Sequence, residues 1–467
     1  MASLRGKNVL VLGLGVNMGG AGVARYLVQQ GANVRVTDMQ TADRLVESLV
    51  RLVDLPITYT LPGHDEADIE WADIVVRNPG VPRESPWLRL ARERGVALEM
   101  EMTLFFRACP APIIGVTGTK GKTTTATLIA TLLRERWPDV RIAGNMGRSA
   151  VMELGGLSAD IPVVIELSSF QIEGLIEQGL APHIAVITNV AEDHLDRYAS
   201  FAEYASVKAG IARYQLPQDW HVTLTDRRVT ELVADMPGRA ASFGFDAVEA
   251  PVAFWLDAGR FAGRFNESRL DFGSVASLAM PGQHAQLNAL AAIAAATLAG
   301  VPAELIARGI PKLTPVADRL EPVARINSVE YVNDTTATAP VAAIAALQAY
   351  EHRPVVAIAG GSEKHISLED FARELVRRAE AVVLLDGGAT PGLLAHLKAA
   401  GHPAVFGPFS SMSQAVSQAA ELARPGGVVL LSPGCASFGM FRNEFDRGRQ
   451  FKQAVELLRR GELRAAE

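Results

Sequence analysis

The stretch VTGTKGKTTT, residues 116–125, holds the ingredients of a phosphate site. Its glycines let the backbone turn N–H groups toward phosphate oxygens, Lys122 adds a positive charge, and Thr123 offers a hydroxyl to Mg²⁺. Gly118, Thr119, Lys120, Gly121 and Thr124 make up the rest of the turn and the start of the helix it feeds. The spacing is not that of the usual P-loop: glycines fall at 115, 118 and 121, and Val116 stands where that pattern puts its first glycine. Phosphate binding survives the departure, because backbone amides do most of the work.

Two more groups fall where they could meet the same ligand. The apolar run PVVIELSS contains Glu166 at its end, and IAVITNV runs out into AEDHLDRY, which carries His194. With PIIGVTG before the phosphate turn, these read as buried parallel strands, and ligands of such sheets bind beyond the carboxyl ends of the strands. Alone, Glu166 reads more readily as a helix-capping carboxylate and His194 as a solvated loop histidine. A buried glutamate at a strand end is costly without a cation, however, and Mg²⁺ bridging nucleotide phosphates takes one or two protein oxygens. Phosphate turn, carboxylate and imidazole together make a nucleotide and metal site, with hydrolysis, kinase chemistry and ligation all open.

The elements that must position these groups follow from length and pattern. A chain of 467 residues suggests about three domains. Its 49% hydrophobic and 21% charged residues are ordinary for a globular protein, and no apolar run approaches the ~20 residues of a membrane span. Cys109 and Cys435 are too few for a disulfide framework and lack metal-ligand spacing, which points to a reducing cytoplasm. The net charge of −6 argues against broad binding to nucleic acid, so an anionic ligand needs local positive groups.

Apolar β-branched runs alternate with helical stretches along most of the chain, as in parallel sheets with crossover helices. NVLVLGLG, the turn VNMGGAG, a helix over VARYLVQQG and the strand NVRVTD ending at Asp38 form a βαβ unit. Glycines at 13, 15 and 19 miss the strict dinucleotide spacing because Met18 takes the third place; a tight turn without a ligand fits nearly as well. Pro110 and Pro112 mark a break before the phosphate unit. Residues 250–280 alternate like short antiparallel strands turning at Ala258-Gly259, a decoration on the middle domain. PGQHAQLNALAAIAAATLAG reads as a helix, and PVVAIAGG, AVVLLDGG and GGVVLLSPG give a third α/β core starting near Lys312.

What chooses among the reactions is a resemblance covering the whole chain. GVTGTKGKTTT, GNMG, IELSSFQIE, TNVAEDHLDRY, PGQHAQLNALAA, VNDTTAT, GGSEK and LSPGCASFGMFRNEFDRG occur in the order found in the Mur ligases, and ELSSFQ resembles the members that take D-glutamate. The resemblance implies an α/β protein of three domains: a Rossmann-like UDP-substrate domain over 1–109, a central P-loop ATPase-like parallel-sheet domain over 110–311, and a C-terminal Rossmann-like amino-acid domain over 312–467. It implies ATP-dependent ligation of D-glutamate to UDP-N-acetylmuramoyl-L-alanine, through an acyl phosphate, by a cytoplasmic monomer that binds neither nucleic acid nor membrane.

Residue by residue, the resemblance implies that Lys122 stabilises the β- and γ-phosphates and that Thr123 and Glu166 hold one Mg²⁺. His194 would hold a second with Lys208, which is carbamylated in this family. Asn288, Arg319 and Asp334 would complete the ATP site. Gly15, Val16, Asp38 and Asn78 would contact UDP, with Asn145 and Ser168 at the muramoyl-peptide end. Thr338, Lys364 and Ser437 match the glutamate site. Departures fall at Ala285, where many members have Asn; at Thr336, where some carry a glutamate-binding Lys; and at Glu444, where a common member has Phe. Thr336 then brings the amino acid a hydroxyl in place of a charge, and Glu444 must point away or be paired. The competing readings are a sister ligase for another amino acid and an ATP-regulated binding protein that binds NAD(H) tightly.

Overall fold

The computed structural model describes residues 3–15, 18–144, 149–191, 197–364 and 366–463. The chain divides into two compact units, residues 1–277 with 287–312 and residues 278–286 with 313–467.

The first unit contains two sheets. Strands Asn8–Leu12 (β1), Asn33–Thr37 (β2), Ile57–Thr60 (β3), Ile74–Arg77 (β4) and Ala97–Met100 (β5) pair in parallel in the order β3-β2-β1-β4-β5. The order reverses between β1 and β4, which opens the crevice in which such sheets bind ligands. The helix after β1 runs Met18–Gln29, starting earlier than the sequence pattern suggests. Its glycines are helical, not turn, residues, and they allow close packing: a Cβ on Gly20 would lie 2.0 Å from the Leu14 carbonyl oxygen, and one on Gly22 would lie 2.1 Å from Ser149 Cβ.

The second sheet has nine strands, Ile113–Thr117 (β6), Ile142–Gly144 (β7), Val163–Glu166 (β8), Ile184–Ile187 (β9), Trp220–Leu224 (β10), Arg239–Phe243 (β11), Ala253–Asp257 (β12), Arg260–Phe265 (β13) and Ser268–Ser274 (β14). Their order is β14-β13-β12-β11-β10-β9-β6-β8-β7. Every residue of β6, β8 and β9 is buried, as expected of strands covered by helices on both faces. The segment expected to decorate this domain is continuous with its sheet. β12 joins β11 in parallel before β13 and β14 turn back antiparallel, because alternation reports strands but not the partner they choose.

A buried ion pair ties the two sheets together. Arg77, the last residue of β4, faces Glu173 of helix Ser169–Glu177 at 3.6 Å, and each side chain is 2% exposed. Tyr198 donates its hydroxyl to the other Glu173 oxygen at 2.9 Å.

The second unit is a six-stranded sheet of Glu321–Ile326 (β15), Val329–Asn333 (β16), Val355–Ala359 (β17), Ala381–Leu385 (β18), Val405–Phe409 (β19) and Val428–Leu431 (β20), in the order β15-β16-β20-β17-β18-β19. Only β15 is antiparallel to its neighbour. β17, β18 and β20 are the three strands the sequence pattern predicts, and their residues are all buried. β15 and β19 escape it because they are edge strands, half solvated, and their apolar signal is weak.

Candidate active site

The phosphate turn leaves β6 and enters the helix Lys122–Leu133. Two of its positions strongly favour glycine. Gly118 has φ +148° and a Cβ there would fall 2.0 Å from Thr188 Oγ1, while Gly121 has φ +84° and a Cβ there would fall 2.6 Å from Asn288 Oδ1. The turn is clamped to the chain beyond β9. Asn189 accepts from the Lys120 amide at 3.0 Å and donates to the Lys120 carbonyl at 2.9 Å, and Thr188 donates to that same carbonyl at 2.6 Å. Thr188 and Asn189 sit in the TNV stretch, but only the fold reveals that they brace the turn.

Two ammonium groups converge on one carbonyl of this turn. Lys122 Nζ donates to Gly118 O at 3.1 Å and to Thr119 O at 3.0 Å, and Lys208 Nζ donates to Gly118 O at 2.8 Å. Lys208 is 2% exposed and lies 4.7 Å from the centre of the Tyr204 ring, whose hydroxyl is 3.3 Å from Thr119 Oγ1. Lys122, Thr123 and Thr124 form the first turn of a 12-residue helix, whose amides and dipole at this end favour an anion. Asn288 is buried in helix Gln283–Leu298 and accepts from Thr125 Oγ1 at 3.2 Å, which places it against the turn.

Glu166 is the last residue of β8 and is 2% exposed. It pairs with Val116 of β6 on one side and Gly144 of β7 on the other, so it leaves the sheet beside the phosphate turn. Among the described residues no three His, Cys, Asp or Glu side chains gather as a metal cage. The Glu166 carboxylate and the Thr123 hydroxyl are hard oxygens of the kind that suit Mg²⁺. His194 lies outside the described residues, as do Val16 and Asn145.

In the first sheet, Asp38 is fully engaged by backbone: one oxygen accepts from the Gly15 amide at 2.8 Å and the other from Gln40 at 2.8 Å. It fixes the turn after β1 as well as standing at the crevice. Asn78 makes a local turn by accepting from Gly80 at 3.0 Å. Ser168 caps helix Ser169–Glu177, accepting from the Gln171 amide at 3.3 Å while its hydroxyl donates to Gln171 Oε1 at 2.9 Å. SSFQ is therefore a capping box as well as a family motif.

The second unit brings together two of the three residues expected at the amino acid. Lys364 Nζ donates to Thr338 Oγ1 at 2.9 Å. Ser437 is buried beside Ala436, and Ala436 exchanges backbone hydrogen bonds with Ser362, which joins the loops of Lys364 and Ser437. Asp334 is buried at the end of β16, accepting from Ser432 Oγ at 2.8 Å and from the Leu320 amide at 3.2 Å. Burial pushes its carboxyl up to about 7, against the opposing pull of Ser432, Leu320, Arg319 and Arg447.

Thr336 is turned elsewhere than the amino-acid site expected for it: its hydroxyl donates to the Asp318 carbonyl at 2.9 Å. Glu444 opens helix Glu444–Arg459, where a carboxylate suits the helix dipole, and its carbonyl accepts from Thr335 Oγ1 at 2.7 Å. Sequence reasoning missed Arg447. This guanidinium is completely buried and donates to the carbonyls of Thr335, Cys435 and Ala436 at 2.8, 3.2 and 3.2 Å and to Thr335 Oγ1 at 3.1 Å. Burial lowers its pKa to about 10. It lies in the motif LSPGCASFGMFRNEFDRG, but the motif does not say which backbone the guanidinium holds.

Known proteins share both the sequence and the fold. Residues 7–99 match the MurD-like N-terminal domain of the Mur ligases, 116–296 the Mur ligase middle domain, and 318–435 the Mur ligase glutamate ligase domain. A protein of Roseiflexus sp. (strain RS-1) named UDP-N-acetylmuramoylalanine–D-glutamate ligase is 47% identical over 462 residues, covering 97% of this chain and 99% of its own. One of that name from Symbiobacterium thermophilum is 36% identical, covering 95% and 97%. Among solved structures, UDP-N-acetylmuramate-alanine ligase MurC of Thermotoga maritima superposes with a TM-score of 0.60 at 21% identity, covering 96% of this chain and 99% of its own. The MurF ligase of the same organism, solved with ADP, gives 0.58 at 16%, covering 97% and 96%.

Proposed function

Since this chain belongs to the Mur ligase family, we propose that it joins D-glutamate to UDP-N-acetylmuramoyl-L-alanine with ATP, a step in building the peptidoglycan precursor. The observation that carries the reading is the convergence of Lys122 and Lys208 on the carbonyl of Gly118. A turn with amides and a helix N-terminus on one side and the Lys122 ammonium beneath it suits transfer of a phosphoryl group.

A carboxylate is a poor acyl donor because its charge is delocalised. Transfer of the γ-phosphoryl group to the alanyl carboxylate gives an acyl phosphate, the glutamate amine attacks its carbonyl carbon, and phosphate leaves with the bonding pair. Lys122 neutralises charge that grows on the phosphate oxygens during the first transfer. Gly118, Thr119, Lys120, Gly121 and Thr124 cradle the phosphates, and Asn288, Arg319 and Asp334 complete the nucleotide site. Thr123 and Glu166 would hold one Mg²⁺ and His194 with a carbamylated Lys208 a second, and such ions would screen the phosphate charge. A carbamate nitrogen retains one N–H, so the bond from Lys208 to Gly118 O is compatible with it.

Gly15, Val16, Asp38 and Asn78 take the UDP end, and Asn145 and Ser168 the peptide end. Lys364 supplies the charge for the glutamate side chain, with Thr338 and Ser437 as hydrogen-bonding partners. The three domains over 1–109, 110–311 and 312–467 divide the substrates in that order. We place the reaction in the cytoplasm, in a monomer. No described helix is long and apolar enough to cross a membrane, and both cysteines are free thiols.

The test is a coupled assay of ADP release in which the UDP-sugar peptide and the amino acid are varied. Release should require both, and Lys122→Ala should cut turnover by ~10²–10³ with the circular dichroism unchanged. Amino-acid-independent release, or near-normal turnover of the variant, would refute the reading.

A further inference from the structure

Arg319 sits in a strained turn. Asp318 before it has φ +65° and Leu320 after it has φ +42°, both in the left-handed region that side-chain-bearing residues avoid. Such a conformation persists only if its surroundings enforce it. Here the enforcement is specific: Asn333 Nδ2 donates to Asp318 Oδ1 at 2.8 Å and to Glu321 Oε2 at 3.1 Å, and the Asp318 amide donates to Glu321 Oε2 at 2.8 Å.

Two carboxylates are thus drawn together around one turn, and Lys452 is the cation between them. Its Nζ lies 3.2 Å from Asp318 Oδ1 and 3.1 Å from Glu321 Oε2. Thr336 closes the fourth side with its bond to the Asp318 carbonyl. Gly448 makes room, since a Cβ there would fall 2.5 Å from Asp318 Oδ1. Without Lys452 the two carboxylates would repel across a backbone already in an unfavourable region, and the turn would open.

We propose that Lys452 and Thr336 are positioning residues for Arg319, and that helix Glu444–Arg459 serves two substrates with two different side chains. Lys452 holds the turn of the nucleotide-facing arginine, whereas Arg447 holds the Thr335 and Cys435–Ala436 backbone next to the amino-acid residues. Five residues apart, they project about 140° apart around the helix, which is why they reach different loops. The assignment rests on the roles proposed for Arg319 at ATP and for Lys364 and Ser437 at glutamate. It also gives Thr336 a task on the nucleotide side.

The test is a steady-state comparison on the full chain. Lys452→Met should raise KM for ATP roughly tenfold, the scale of a lost charged hydrogen bond, and leave KM for D-glutamate within about twofold. Thr336→Val should raise KM for ATP about threefold, again without moving that for D-glutamate, and covers the case in which Lys452→Met fails to fold. Lys452→Arg should restore near-normal values, and Arg447→Lys should raise KM for D-glutamate selectively. Arg319→Ala is the control. If it raises KM for ATP but Lys452→Met and Thr336→Val do not, or if they move both KM values together, the positioning role is overturned while Arg319 keeps its own. If Arg319→Ala leaves ATP unaffected, the reading of Arg319 falls and the proposal with it.

Discussion

Lys364 and Thr338, 26 residues apart in the chain, are joined by a hydrogen bond of 2.9 Å from Nζ to Oγ1. The lysine is exposed, so its charge is held in place by the threonine and not by burial. Lys364→Ala should therefore raise KM for D-glutamate by tenfold or more, whereas Thr338→Val, which keeps the cation and loses its tether, should cost about threefold. Parallel assays with D-Glu, L-Glu, D-Asp and D-Gln check the identity of the acceptor. A preference for L-Glu or D-Gln would detach Lys364 from this role.

Gly121→Ala tests the phosphate turn without touching a charge. The substitution demands φ +84° of an alanine, a cost of about 1–2 kcal/mol, and drives its methyl toward Asn288 Oδ1. ATP affinity should fall about tenfold or more in isothermal titration, with a modest drop in melting temperature. Unchanged affinity would show that the turn does not meet the nucleotide.

The Arg77–Glu173 pair predicts a stability effect remote from the chemistry. With both side chains 2% exposed, Arg77→Met leaves Glu173 charged and buried, at a cost of about 3–5 kcal/mol. Adding Glu173→Leu should recover much of the loss. Denaturant unfolding of the two single variants and the double variant checks this, and additive losses would contradict it.

Asp334 makes stability depend on pH. Its carboxyl is raised from 3.8 to about 7 in the folded chain, so between these values the folded state holds a proton the unfolded state has released. Below pH ~4 both states are protonated and Asp334 imposes no such cost. As pH rises from there toward 7, stability falls by on the order of 1.4 kcal/mol for each step of one in pH, and above 7 the folded carboxyl ionises too and the dependence ends. Asp334→Asn removes the ionisation. Its stability relative to the parent, measured by urea unfolding without nucleotide, should climb from pH 4 to pH 7 and then level off.

Lys208 offers a chemical test. Lys208→Ala should be inactive and partly rescued by a short carboxylic acid, and CO₂ depletion should lower the activity of the parent. Full activity after prolonged dialysis under CO₂-free buffer would mean that the lysine acts unmodified.

Much of this was legible before the structure. Gly118 and Gly121 stand where a turn before Lys122 must present amides, and the buried runs ending at Thr117 and Glu166 are parallel strands, as their continuous apolar character implies. What sequence could not carry is the partner of each polar group. Asp38 is expected to contact UDP, yet both its oxygens accept from backbone amides. Thr336 sits in a motif for the amino acid but points its hydroxyl at Asp318, and Arg447 looks like a surface arginine until three carbonyls from distant segments close around it. Such contacts arise from tertiary packing, for which local periodicity has no signal.

The burial of Cys435 beneath Arg447 has a practical consequence. Burial raises its thiol to about 11 and also raises that of Cys109, so at neutral pH the chain offers scarcely any thiolate to a maleimide. A cysteine introduced on an exposed helix of each unit would then be labelled almost alone. Pairs of dyes or spin labels could report the distance between the two units as substrates bind, with the native cysteines left in place.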